Sequence, residues 1–245
     1  MNRLLSALIL ATLAALPLAA AQAETFTPQQ RQEIVEIIRN ALKSDPSILR
    51  DAVAQLQKDE SRMEAEAGQA ALASMQPALL HTPGDPVAGN PEGDVTLVEF
   101  YDLRCPYCRR MLPVMAELLK SDRRLRVVFK DIPILGPGSV LGARAVLAAQ
   151  RQGGYLKLHD ALMTGPASID QDTIRTAAQK TGLDWDRLQR DMADPAIQTR
   201  IDSNLAMAKA LQIDGTPAYV VGSHIVPGAV ALAELQSMVS AARGR

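Results

Sequence analysis

The sequence contains only two cysteines, three histidines that stand far apart, and an aromatic share of just 3%. Each scarcity excludes something. Two cysteines cannot build the bridged framework of a disulfide scaffold. A structural zinc site needs four ligands at close spacing, but there is no second cysteine pair, and His81, His159 and His224 are scattered. Charge of either sign is hardly in excess, with 26 Lys and Arg against 27 Asp and Glu. That balance excludes the basic surface needed to bind nucleic acid. Beyond Leu4–Ala21, no run is apolar for long enough to span a bilayer. With so few aromatics, the core must rest on Leu, Val, Ile, Ala and Met. Met111, Met115, Met192 and Met207 fall at positions compatible with buried helix faces, so the methionines read as core filling rather than copper ligands.

The beginning of the sequence carries an export signal. Asn2 and Arg3 give a short positive start, Leu4–Ala21 is apolar, and Ala21-Gln22-Ala23 offers the small residues a signal peptidase reads. Residues 1–23 are therefore expected to be a signal peptide, and the mature chain to begin at Glu24 with no membrane span. In an oxidising compartment, a chain with one cysteine pair and none to spare acts on the disulfides of other proteins.

That pair is Cys105-Pro106-Tyr107-Cys108, directly after the strand-like run 95–101. If Cys105 opens a helix, its sulfur faces unpaired backbone N–H groups and the positive end of the helix dipole, which favour a thiolate. Cys108, one turn further in, can resolve a mixed disulfide. Pro106 suits the first turn of such a helix. A bridge that closed this four-residue loop would restrain little of the unfolded chain, so the pair reads as reactive rather than structural.

Helical signals fill residues 27 to about 78. Thr27-Pro28-Gln29-Gln30 has the pattern of a capping box with proline at the first helical position, and Ile34, Ile37, Ile38, Ala41 and Leu42 recur at helical spacing. Asp45-Pro46 opens a second helix, with a stripe of Ile48, Leu49, Ala52, Val53 and Leu56. From Lys58 to Ala71 the chain is charged and alanine-rich, with little to bury. Two such stripes cannot cover themselves, and the spacer after them favours self-association over docking.

The breaker-rich segment 81–94 marks a boundary. Strand 95–101, a helix from about 106 to 119 and strand 125–130 follow it. Helices then run over about 139–213, with breaks at Gly153-Gly154, Gly165-Pro166, Gly182 and Asp194-Pro195. Strands return at 218–221 and near 225–226, and a last helix carries Leu232, Leu235, Met238 and Val239. This order implies a sheet flanked by helices, an α/β class, with the reactive turn at a strand's carboxyl end.

Over roughly 85–245, the runs Val98–Arg109, Val128–Gly136 and Gly215–Val220 resemble the DsbA family. The resemblance implies a thioredoxin fold with an inserted helical domain at about 139–213, preceded by an α-helical stalk. The domain would occupy 81–245, and the oligomerisation region and linker 24–80. It makes Cys105 the nucleophile and Cys108 the resolving thiol. Thr216-Pro217 becomes a cis-proline loop, which lines the substrate site with Pro106 and Tyr107. Glu99 is implied to be a buried acid that exchanges a proton with Cys108, with Lys130 as its partner. The segments 26–38 and 45–49 are similar to the amino-terminal helices of the suppressor of copper sensitivity C group, whose extended members look like trimeric isomerases. A homotrimer through 27–57 is implied, in the periplasm, acting on disulfide-containing client proteins and kept reduced by a membrane thiol reductase. No organic cofactor and no resident metal are implied. A dithiol oxidase and a Cu(I) carrier using Cys105 and Cys108 are the alternatives.

Overall fold

The computed structural model describes residues 26–244, so the expected signal peptide lies outside them. The chain divides into two units, one ending at Gln57 and the other beginning at Lys58.

In the first unit, helix α1 (Pro28–Ser44) forms for local reasons. The Gln30 N–H donates to Thr27 Oγ1 at 3.3 Å, and the Thr27 N–H donates to Gln30 Oε1 at 2.9 Å. Such reciprocal caps are each worth about 1 kcal/mol. Asp45 accepts from the Ser47 N–H at 3.0 Å where helix α2 (Ser47–His81) starts. No residue of α1 is buried; Ile37, Ile38 and Leu49 are 67%, 53% and 59% exposed.

The second unit is built on one five-stranded sheet. Its elements after α2 are β1 (Val87–Gly89), β2 (Val95–Tyr101), α3 (Pro106–Ser121) and β3 (Leu125–Asp131). Then come α4 (Pro137–Gln150), α5 (Tyr155–Thr164), α6 (Gln171–Lys180), α7 (Trp185–Met192) and α8 (Pro195–Ala210), followed by β4 (Ala218–Val221), β5 (His224–Pro227) and α9 (Leu232–Arg243). The strand order is β1-β3-β2-β4-β5; β2 and β3 run parallel, and the other pairs are antiparallel. The four breaks read within the helical segment are the four gaps between α4 and α8. Strand β1, by contrast, sits inside the segment read only as breakers. Three residues are too short to show alternation, and what fixes β1 is pairing with β3 and the Phe129 N–H donating to Pro86 O at 3.0 Å. Gly89 ends it at φ +76°, where a Cβ would stand 2.4 Å from Leu125 O.

Alternation along the strands makes two apolar faces. Leu97, Tyr101, Leu125, Val127, Phe129, Tyr219 and Val221 point into the larger core, with Met111 and Met115 of α3 and the helices of the insertion. Val98, Phe100, Val128, Ala218 and Val220 point the other way, onto Leu72 and Leu79 of α2 and Met207, Ala208 and Leu211 at the end of α8. Each large side chain buried here contributes about 1.5–3 kcal/mol. The last turns of α2 are thus part of this core. Arg126 Nη1 and Lys130 Nζ donate to the Leu80 and Ala78 carbonyls at 2.6 and 3.1 Å, satisfying orphan groups at the carboxyl end of α2. The breakers at 81–94 mark the end of α2, while the compact unit reaches back to Lys58.

Candidate active site

Strand β2 ends at Tyr101, and the chain turns into α3 across four residues, 102–105. Asp102 holds this turn. Its carboxylate accepts from the Arg104, Ile134 and Leu135 N–H groups at 2.8, 2.9 and 3.1 Å and from Ser139 Oγ at 2.8 Å. The Cys105 N–H closes the turn onto Asp102 O at 3.0 Å.

Cys105 is the N-cap of α3, with extended backbone and Pro106 at the first helical position. Its sulfur therefore stands at the end of the helix where N–H groups lack partners. The thiol donates to Thr216 O at 3.2 Å, and the Thr216–Pro217 peptide is cis. Both cysteines are free thiols. Cys108 is 1% exposed, one turn inside. Burial pushes its thiol well above the ordinary range, and the neighbouring Cys105 and Glu99 groups add to the rise. Pro106 and Tyr107 are exposed at the rim, and the Arg110 guanidinium lies 4.4 Å over the Tyr107 ring.

Glu99 points into the larger core beneath α3 and is 4% exposed. Burial raises its carboxyl to about 8; the hydroxyl of Tyr219, its register partner on β4, opposes the rise only in part. That hydroxyl is buried and, among the described residues, has no partner within hydrogen-bonding geometry, which is why it restrains the rise so little.

Lys130 is not the partner of Glu99. Parallel pairing sets Glu99 opposite Phe129 and Phe100 opposite Lys130, so the two side chains leave the sheet on opposite faces. Lys130 instead forms a buried ion pair with Asp85, which Arg200 also contacts at 2.7 Å. Burial is the largest cause at both ends, lowering the Lys130 ammonium and raising the Asp85 carboxyl.

The structure thus brings together Cys105, Cys108, Glu99, Pro106, Tyr107, Thr216 and Pro217, and leaves Lys130 out. It also adds residues that the sequence reading missed. Asp102 carried a readable signal, an acid in a strand-to-helix turn. Arg109 carried none: it donates to the Leu103, Leu162, Gly165 and Pro166 carbonyls at 2.8–3.0 Å, tying α3 to the insertion. Nor did Asp131, a buried carboxylate that accepts from the Tyr101 and Tyr155 hydroxyls at 2.6 and 2.9 Å and is raised to about 6 by burial. Among the described residues, no group of three or more His, Cys, Asp and Glu is placed to hold a metal ion, and no helix is long and apolar enough to cross a membrane.

Comparison with known proteins agrees with this geometry. Residues 96–240 match the model of the DSBA-like thioredoxin domain, and residues 30–62 match that of the copper resistance protein ScsC N-terminal domain. A thioredoxin-like oxidoreductase from Silicibacter pomeroyi is 43% identical, with a TM-score of 0.67, over 69% of this chain and 98% of that one. ScsC of Proteus mirabilis, in a transitional conformation, is 29% identical with a TM-score of 0.66, over 89% of this chain and 97% of that one. The Na(+)/H(+) antiporter NhaA 1 of Salinispora arenicola is 30% identical over 160 residues, 64% of this chain but only 24% of the antiporter's length.

Proposed function

This chain belongs to the family of the DSBA-like thioredoxin domain, and on that premise we propose that it is a thiol–disulfide oxidoreductase acting as a periplasmic disulfide isomerase and reductase. One observation carries the reading: the Cys105 sulfur sits at the N-cap of α3, 3.2 Å from the Thr216 carbonyl, with Cys108 buried one turn behind.

The Cys105 thiolate attacks one sulfur of a client disulfide; that bond breaks, and the other client sulfur leaves as a thiolate. The client strand lies along the backbone of Thr216 and Pro217, as in strand addition, with Pro106 and Tyr107 at its flank. Two exits follow. A second client thiolate attacks the mixed disulfide, which frees Cys105 and leaves a rearranged bond. Otherwise Cys108 passes its proton to the Glu99 carboxylate and attacks the Cys105 sulfur. The client then leaves as a thiolate, reduced by two electrons, and a Cys105–Cys108 disulfide remains for a membrane thiol reductase to reduce. The asymmetry suits isomerisation: burial keeps Cys108 protonated, which gives the first exit time to occur.

The same proposal includes assembly as a homotrimer through 27–57. Its support is the exposed stripe of Ile37, Ile38 and Leu49 and the match of 30–62 to the ScsC amino-terminal domain. Several sites on one stalk raise the effective concentration of thiols around a client.

Reactivation of scrambled ribonuclease in glutathione buffer tests the proposal. The chain from Glu24 is compared with one from Lys58, a start that keeps Leu72 and Leu79 in the core. Activity that requires Cys105 and falls in the shorter chain supports a stalk-assembled isomerase. Failure to reactivate, with rapid oxidation of a reduced peptide, replaces it with a dithiol oxidase.

A further inference from the structure

A cavity of about 200 Å³ runs between α3 and α5. Glu99 and Cys108 line its buried end, and the exposed Asp160 and Leu156 line its mouth. His159, 3% exposed, lines it as well. A single water takes roughly 30 Å³ of liquid, so the cavity has room for several, and Glu99, Cys108, His159 and Asp160 are the polar groups in its otherwise apolar lining that could hold them.

The mechanism above needs such a route. When Cys108 gives its proton to Glu99, the acid must lose it again before the next turnover, yet Glu99 is 4% exposed under the redox helix. We propose that His159, oriented by Asp160, carries protons between solvent and the Glu99–Cys108 pair through this cavity. This inference rests on the oxidoreductase reading.

The geometry assigns the imidazole its orientation. Nδ1 lies 2.8 Å from Asp160 Oδ1, and an ionised carboxylate only accepts, so Nδ1 is the donor and Nε2 is left to take and release protons. The ring is fixed by packing, with centroids 5.0 Å from Tyr101 and 5.3 Å from Phe129. The titratable groups around it are Tyr101 from β2, Asp131 from β3, and Tyr155 and Asp160 from α5, with Glu99 of β2 and Cys108 of α3 across the cavity. Tyr101 and Tyr155 are both spent on Asp131, which leaves His159 and Asp160 as the titratable side chains between the cavity and bulk water.

The step balances. Cys108 S–H yields its proton to the Glu99 carboxylate, and the new thiolate displaces the client thiolate as the Cys105–Cys108 bond forms. The protonated Glu99 passes its proton along the cavity to His159 Nε2, the imidazolium is stabilised by Asp160, and it releases the proton to solvent. During reduction of the enzyme, the same route runs in reverse. His159 is a positioning residue for this transfer, since it touches neither sulfur.

Single-turnover kinetics on the full-length protein test the relay, measuring mixed-disulfide formation and its resolution separately. In His159→Ala, the ratio of the resolution rate to the attack rate is expected to fall by about tenfold or more, and added imidazole is expected to restore it in proportion to concentration. His159→Phe refills the ring volume beside Tyr101 and Phe129; it should show the same fall without rescue, and it carries the test if the alanine variant does not fold. A ratio within about twofold of wild type in either variant, or a fall in His159→Ala that imidazole does not reverse, overturns the relay. If wild type forms no mixed disulfide at all, the oxidoreductase reading fails and takes the relay with it.

Discussion

Glu99 and Lys130 show how much a single residue's meaning depends on which face of a strand it takes. The sequence pairs the two as catalytic partners, yet only Glu99 lies beneath the cysteines, and among the described residues no cation pairs with it. Its carboxyl rises to about 8, against an ordinary value of 4.5, because burial disfavours the charge. A raised carboxyl makes the folded state bind more protons than the unfolded one. Its contribution to stability is therefore complete below pH ~4.5 and is lost as pH rises through about 8. Glu99→Gln removes this titration. The variant should gain stability relative to wild type between pH 5 and 8, by a few kcal/mol, with slower resolution by Cys108. Urea unfolding at both pH values checks it, and a pH-independent difference would mean that Glu99 does not titrate in this range.

Among the elements, β3 joins the two sides of the sheet: its Phe129 and Asp131 serve the site, while Arg126 and Lys130 hold the carboxyl end of α2. Lys130→Met would leave Asp85 buried with Arg200 alone. A broken buried pair costs up to about 3–5 kcal/mol, less whatever Arg200 retains. The rate of Cys105 attack per folded molecule should stay within about twofold. A large loss of that rate without a loss of stability would return Lys130 to the chemistry. The helices and long strands were readable in the sequence because their signals are local: the Thr27–Gln30 box, the breaks at Gly153, Gly165 and Gly182, and the runs 95–101 and 125–130. Strand β1 and the docking of α2 were not, since both depend on partners distant in sequence, Val127–Val128 for the one and Val98, Phe100 and Val220 for the other.

For the whole molecule, the proposed homotrimer rests on the uncovered face of α1. Ile38 and Leu42 are 53% and 38% exposed in the single chain, so lysine at both places should leave each helix intact. Ile38→Lys with Leu42→Lys is expected to convert a trimer to monomers in sedimentation, lowering scrambled-ribonuclease reactivation several-fold while peptide oxidation persists. A wild-type chain that sediments as a monomer at the concentrations used would remove the stalk from the mechanism.

The cysteine pair, its strand-to-helix setting and the order of the helices and long strands were determined by the sequence alone, because each is written in neighbouring residues; the proline loop at Thr216-Pro217 came from the family resemblance. Tertiary structure decided the rest. It placed the Thr216 carbonyl beside the Cys105 thiol across 111 positions, turned Lys130 away from Glu99, and gathered Glu99, Cys108, His159 and Asp160 around one cavity. The reason is that burial and proton exchange depend on distances through space. Those distances are set by strand register and helix packing, which no local run of residues encodes.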